Sequence, residues 1–294
     1  MRQDLLQEVA QRGGRYLDEM HSRRVAPSSE AIRRLHSLDI LLQEEPIEPQ
    51  QVLAELDEIG SPATVASTSG RYFGFVTGGS LPAALAANLL AGIWDQNAAL
   101  EGMSPVASAL EEICRKWLVS ILGLPAEAGV GFVTGTTMGN FTGLAAARHA
   151  VLERVGWDVE AHGLFGAPPI TVIVGEEVHV TLLKALSMLG LGRDRVVRAP
   201  VDGQGRMRAD SLPRISGPTV VCVQAGNVNT GAFDPLSEIC AIAREAGAWV
   251  HVDGAFGLWA AASPARAHLV KGIEQADSWA TDAHKWLNVP YDSG

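Results

Sequence analysis

An α/β fold with a mostly parallel sheet and a helical N-terminal segment is predicted by three features of the 294-residue chain. Short, β-branched apolar runs recur at ITVIV (170–174), VVRAPV (196–201), TVVCVQ (219–224) and WVHVD (249–253), with a weaker one at DSWATD (277–282). Their starts are 26, 23, 30 and 28 residues apart, which leaves room for a crossover helix in each gap. The runs are nearly continuous in apolar character, as in strands covered on both faces.

The elements follow in order. Leu5, Leu6, Val9 and Leu17 recur at roughly helical spacing, and Ser28 or Ser29 can cap a second helix carrying Ile32, Leu35 and Leu38. Pro49 opens a third, QQVLAELDEI, closed by Gly60. Residues 61–81, rich in Ser, Thr, Gly and Pro, read as irregular. Helices are expected at about 82–101 and at 105–122, the latter between Pro105 and Gly123. Further on, VTLLKALSML (180–189) and PLSEICAIAREAG (235–247) fill gaps between strands. The expected division is a helical segment over 1–80 and a ligand-binding α/β domain over 81–294.

Composition narrows the class of function. With 47% apolar and 19% charged residues the chain is a cored, folded protein. Lys plus Arg is 23 against 33 Asp plus Glu, a net charge of −10 without a basic block, which argues against nucleic acid or an anionic membrane as partner. The apolar runs are too short to span a bilayer. The N-terminus, MRQDLLQEVAQRGGRYLDEM, has four acids and no signal-type apolar core. Cys114, Cys222 and Cys240 are odd in number and have no zinc spacing, which suits a reducing cytoplasm.

Five segments can carry chemistry. GVGFVTGTTMGNFTGLAAARHAVLE runs from the apolar GFV through a Gly/Thr loop into a helix. The free N–H groups and partial positive charge of that helix start suit a phosphate, with Thr136 and Thr137 adding hydroxyls. By itself the loop serves equally as an ordinary strand–helix turn, and it matches neither G-x-G-x-x-G nor a P-loop. In AWVHVDGAFGLWA, Asp253 stands where a strand ends, the usual ligand edge of an open α/β sheet, and small residues follow it; by itself it serves also as an Asp capping the next loop. In DSWATDAHKWLNVP, Asp282, His284 and Lys285 follow another strand beside Trp286; a lysine in a desolvated, aromatic-lined pocket is a nucleophile toward aldehydes, although most lysines are surface groups. His179 opens a helix after 170–174, where a neutral imidazole can cap the helix or stack on a ring, capping being its simplest use. Asn227, Asn229 and Thr230 follow 219–224, as neutral donors or as turn formers. All five are expected to follow strands and so to converge on one sheet edge. A phosphate cradle, a buried acid, a nucleophilic lysine, a stacking histidine and neutral donors together suit an aromatic phosphate aldehyde.

The stretches RYFGFVTGGSLPAAL, TGTTMGNFTGL, HVTLLKA, AGNVNTGAFDP, HVDGAFG and SWATDAHKWLNVPYDSG, in this order, resemble the pyridoxal-phosphate-dependent amino-acid decarboxylases of group II, the glutamate and aromatic amino-acid decarboxylases. The most specific match is HVDGA followed by DAHKW, with Lys285 placed 32 residues after Asp253. The resemblance implies the aspartate-aminotransferase-like fold (fold type I) and pyridoxal 5'-phosphate as cofactor. It implies that Lys285 forms the internal Schiff base, that Asp253 keeps the pyridine nitrogen protonated, and that His179 and Ala255 cover the two ring faces. Thr136 and Thr137 would hold the phosphate with help from His284. Asn227 falls where relatives usually carry a Thr near ring and substrate. Tyr72, Phe73 and Phe75 would line the substrate entrance. An amino-acid substrate and a homodimer are implied for the full-length protein.

The chain ends at Gly294, nine residues after Lys285. Family members continue through an antiparallel strand inside the sheet and a C-terminal domain. The sequence is therefore expected to be truncated, its large domain incomplete, and the fragment poorly folded or inactive where the full-length protein is active. Rival readings are an aminotransferase or other lyase on the same fold, a non-catalytic dimerisation partner, and a metal hydrolase built from His251, Asp253, Asp282 and His284, for which no HxH or HExxH spacing exists.

Overall fold

A computed structural model describes residues 2–294. They fall into two compact units, divided between Gly79 and Ser80.

The first unit holds α1 (Arg2–Asp18), α2 (Ser29–Arg34) and α3 (Pro49–Glu55), with long irregular connections. The Ser28 hydroxyl accepts from the Ala31 N–H at 3.1 Å, which satisfies one of the free donors at the start of α2. Arg12 on α1 donates to Glu8 and, at 2.9 Å, to Asp57 beyond the end of α3.

The second unit opens with α4 (Pro82–Trp94) and α5 (Pro105–Leu122). The expectation of a helix to residue 101 is corrected here: Asp95 takes a left-handed conformation (φ 48°) and stops α4 at Trp94. Its N–H still bonds the Ala91 carbonyl, so the helix end is capped without a glycine. α5 has the expected ends, with Ser104 as N-cap, Pro105 in the first turn and Gly123 at φ 64°.

Then follow α6 (Thr136–Glu153), α7 (Val159–His162), β1 (Thr171–Gly175), α8 (Val180–Met188), β2 (Val197–Ala199), β3 (Thr219–Gln224), α9 (Leu236–Glu245), β4 (Trp249–Asp253) and β5 (Ser278–Ala280). The five strands form one sheet in the order β2-β1-β3-β4-β5, with every pairing parallel. Parallel strands put all their C-terminal ends on one edge, so the loops after β1, β3, β4 and β5 open toward the same side. The apolar GFV run before α6 is not a strand. Its Val133 instead exchanges two backbone hydrogen bonds, 2.9 and 2.8 Å, with Gly294. The Gly/Thr loop is thus the one segment of the five that does not follow a strand.

Side chains alternate along the strands between two faces, both of them buried. Val172, Val174, Val220 and Cys222 pack on Leu144, Ala147 and Val151 of α6 and on Leu182, Ala185 and Leu186 of α8. Ile173, Val221, Val223, Val250 and Val252 face the other way, onto Leu236, Ile239, Cys240 and Ala243 of α9. Each fully buried Leu or Ile in these layers contributes about 2 kcal/mol of transfer free energy, so the two-sided core anchors the sheet and its edge. Beyond β5 lies an apolar cavity of about 490 Å³, lined among others by Trp117, Phe132, Leu258 and Trp279.

Candidate active site

Asp253 ends β4 and is buried. Its Oδ2 accepts from Asn140 Nδ2 at 3.1 Å and its Oδ1 from the Ala255 N–H at 3.3 Å. Burial raises its pKa; the Asn140 hydrogen bond, the field of His179, the Ala255 N–H and the field of Lys285 oppose that rise. Asp253 has no ion pair among the described residues, so this carboxylate is short of a cation.

A second cluster gathers at the start of α6. The Thr136 N–H donates to Asp282 Oδ1 at 2.6 Å, and the other oxygen of Asp282 pairs with Lys285 Nζ at 2.9 Å. His284 Nε2 lies 3.6 Å from Asp282, and its ring stacks on Tyr291 at 4.1 Å. His284 Nδ1 accepts from the Ser293 N–H at 3.2 Å. Gly135 leaves the approach open, because a Cβ there would lie 3.1 Å from His284 Cε1 and 3.3 Å from Asp282 Oδ1. The sequence expectation of an aromatic-lined pocket around Lys285 is corrected: Trp286 is 62% exposed, and the amine meets a carboxylate.

The remaining candidates are distributed as follows. His179 caps α8, its Nδ1 accepting from the Thr181 N–H at 3.4 Å and lying 2.7 Å from the Thr181 hydroxyl. Asn227 is buried with its amide engaged by protein: Oδ1 accepts from the N–H groups of Asn229 and Thr230, and Nδ2 donates to Glu177 at 3.0 Å. The turn chemistry that Asn serves so well therefore uses its oxygen here. Thr137 and Ala255 are half-buried at the same edge. Tyr72, Phe73 and Phe75 belong to the first unit, where both phenylalanines are exposed.

Sequence reasoning missed Asn140 and weighed His251 only as a ligand of a metal hydrolase. Asn140 follows Thr136 by one helical turn, so the i, i+4 spacing from the phosphate-loop threonine was the available signal. His251 lies on the Asp253 side of β4 and is completely buried, with Nε2 2.9 Å from Asn140 Oδ1 and Nδ1 2.8 Å from Ser278 Oγ. Burial pushes its pKa down to about 4. With both ring nitrogens engaged, His251 has no lone pair for a metal. Among the described residues no group of three or more His, Cys, Asp or Glu is arranged to hold one.

The edge can accept a flat, aromatic, phosphorylated aldehyde. The α6 N-terminus already takes an anionic oxygen, that of Asp282. The buried Thr136 hydroxyl beside it has no hydrogen-bond partner among the described residues, as a site for a further acceptor requires. The cation-deficient Asp253 suits a protonated ring nitrogen, and Lys285 supplies the amine.

Fold and edge together define an α/β protein built to hold a cofactor at the carboxyl ends of its strands. Residues 32–294 match the pyridoxal-dependent decarboxylase conserved domain, and the chain belongs to that family. Over 258 residues, 85% of this chain, it is 31% identical to cysteine sulfinic acid decarboxylase of Mus musculus. Over 196 residues, 64% of this chain, it is 33% identical to aromatic-L-amino-acid decarboxylase of Bacillus atrophaeus. The crystal structure of mouse CSAD superposes with a TM-score of 0.88 at 26% identity and covers 99% of this chain. The matches span 51% and 38% of those two relatives and 63% of the solved chain, so this sequence corresponds to only part of their length.

Proposed function

We propose that the full-length protein decarboxylates an L-amino acid to its amine and carbon dioxide, using pyridoxal phosphate. The observation that carries this reading is Asp253, a buried carboxylate without an ion pair, at the same strand edge as Lys285 and the α6 N-terminus. Membership of a pyridoxal-dependent decarboxylase family supports it. When bound, the cofactor supplies an electron-accepting ring for the pair left behind by departing carbon dioxide.

In this reading Lys285 would supply the amine that holds the cofactor through its aldehyde carbon, the aldehyde oxygen leaving as water, and its ion pair with Asp282 would have to open for that. Asp253 holds a proton on the pyridine nitrogen. The α6 N-terminus, Thr136, Thr137 and His284 hold the phosphate. His179 and Ala255 take the two ring faces, and Asn227 keeps the loop after β3 tied to Glu177 beside them. Held on a rigid strand edge, these groups orient the substrate carboxylate before the bond breaks. Tyr72, Phe73 and Phe75 are assigned to the substrate entrance. A homodimer is supported by exposed apolar residues on α4 and α5, including Leu90, Trp94, Leu110 and Trp117. Three free thiols are in keeping with a cytoplasmic setting; no helix among the described residues is long and apolar enough to cross a membrane.

The test is to add pyridoxal phosphate to the full-length protein, record the visible spectrum, reduce with borohydride and map the modified residue, alongside carbon dioxide release from a panel of amino acids. The expected label is on Lys285, with Lys285→Ala losing label and activity, the latter by about 1000-fold or more as for other covalent catalysts. A colourless mixture with no label at Lys285 would falsify the proposal.

A further inference from the structure

Asn140 and His251 lie outside the cofactor-holding set, yet they form an unbroken line of hydrogen bonds to Asp253. Trp249 Nε1 is 2.9 Å from Ser278 Oγ, Ser278 Oγ is 2.8 Å from His251 Nδ1, His251 Nε2 is 2.9 Å from Asn140 Oδ1, and Asn140 Nδ2 is 3.1 Å from Asp253 Oδ2. The direction of the line follows from its far end. An indole N–H can only donate, so Ser278 Oγ accepts there; among the described residues its one other partner is His251 Nδ1, the only acceptor within reach of its single proton. His251 is sealed from solvent and neutral, so with Nδ1 accepting its one proton is on Nε2. That proton requires an oxygen, which sets the orientation of the Asn140 amide and turns its NH2 toward Asp253. Gly143 makes room for the imidazole, since a Cβ there would lie 2.8 Å from His251 Cε1.

We propose that Asn140 is a positioning residue for the cofactor, holding Asp253 as a hydrogen-bond acceptor through a one-way relay from Trp249, Ser278 and His251. A donor fixed on Oδ2 favours the ionised carboxylate and immobilises its plane, so its remaining lone pairs present one geometry to a ring N–H. None of these four side chains needs to touch the cofactor. The inference rests on the cofactor reading above, and the relay itself can be tested without the cofactor.

The first measurement is 15N NMR of the imidazole of His251 in the cofactor-free full-length protein, assigned by its loss in His251→Gln. The expected result is a protonated Nε2 and an accepting Nδ1; the opposite tautomer overturns the relay. The second uses pyridoxal phosphate labelled with 15N in the ring. In the unmodified protein the ring nitrogen is expected at a pyridinium shift, moving toward the neutral value in Asn140→Ala and, by less, in Ser278→Ala. Cofactor dissociation should quicken so that Kd rises about 10- to 100-fold in Asn140→Ala, the usual effect of removing a hydrogen bond to a charged group. Ser278→Ala changes volume little and lies three hydrogen bonds from Asp253, so a purely packing role for the cluster predicts no ring-nitrogen shift in it. An unmoved ring-nitrogen shift in both variants overturns the positioning role. If the unmodified protein fails to bind the cofactor, it is the function proposed above that fails, and the His251 tautomer then decides the relay alone.

Discussion

Replacing His251 by Gln should change how stability depends on pH, and the size of the change follows from its burial. His251 is completely enclosed, and burial lowers its pKa from 6.5 to about 4. A depressed pKa means that the unfolded chain binds the proton first on acidification. Stability from the neutral imidazole is therefore fully present above pH 6.5 and lost as pH falls toward 4. The full span is about 3 kcal/mol, of which about 2 kcal/mol is gone by pH 5. Asp234 works in the opposite sense. Burial raises its pKa from 3.8 to about 6, against the pull of the Gln224 and Met207 N–H groups, so its contribution is present below pH 3.8 and lost as pH rises through about 6. The two nearly offset each other in the parent's own profile, and only the difference between parent and variant isolates the imidazole. Urea unfolding of both proteins at pH 7 and pH 5 supplies it. The parent's advantage over His251→Gln should shrink by about 2 kcal/mol between these pH values. Parallel profiles for the two proteins would refute the reasoning, because they would mean that His251 takes up its proton as readily folded as unfolded.

Two further outcomes are expected. Gly143→Ala places a Cβ 2.8 Å from His251 Cε1 and 2.9 Å from its Nδ1, overpacking a rigid interior, so thermal unfolding should register a loss of about 1–3 kcal/mol; an unchanged Tm would mean that α6 can lift off β4. Asp234→Ala removes acceptors held 2.7 Å from both the Met207 and Gln224 N–H groups, leaving two buried donors bare. A loss of about 2–4 kcal/mol in denaturant midpoint analysis is expected, with wild-type stability marking the loop 200–207 as free to rearrange.

Local patterns carried much of the fold. β3 is buried at all six positions and β4 at four of five, so their apolar runs stood out without any knowledge of neighbours. Pro105 and Gly123 marked both ends of α5 because cap chemistry acts within one turn. The end of α4 was not legible: Asp95 adopts the left-handed conformation without the glycine that usually announces it. The GFV run was misleading for a related reason, since a strand exists only where a neighbour supplies its ladder.

For the site, sequence order and strand ends sufficed to nominate Asp253 and Lys285, because a parallel sheet sends every such residue to one edge. They said nothing of which group would meet which. Asp282, two residues past the end of β5, became the partner of both Lys285 and Thr136. Asn140 reaches His251 across 111 residues and Asp253 across 113. What the sequence by itself determined was periodicity, capping and the kinds of side chain available, all set by interactions within a few residues. Only the tertiary structure brought together the line from Trp249 to Asp253, because its groups meet only when β5 pairs with β4 and α6 packs on both.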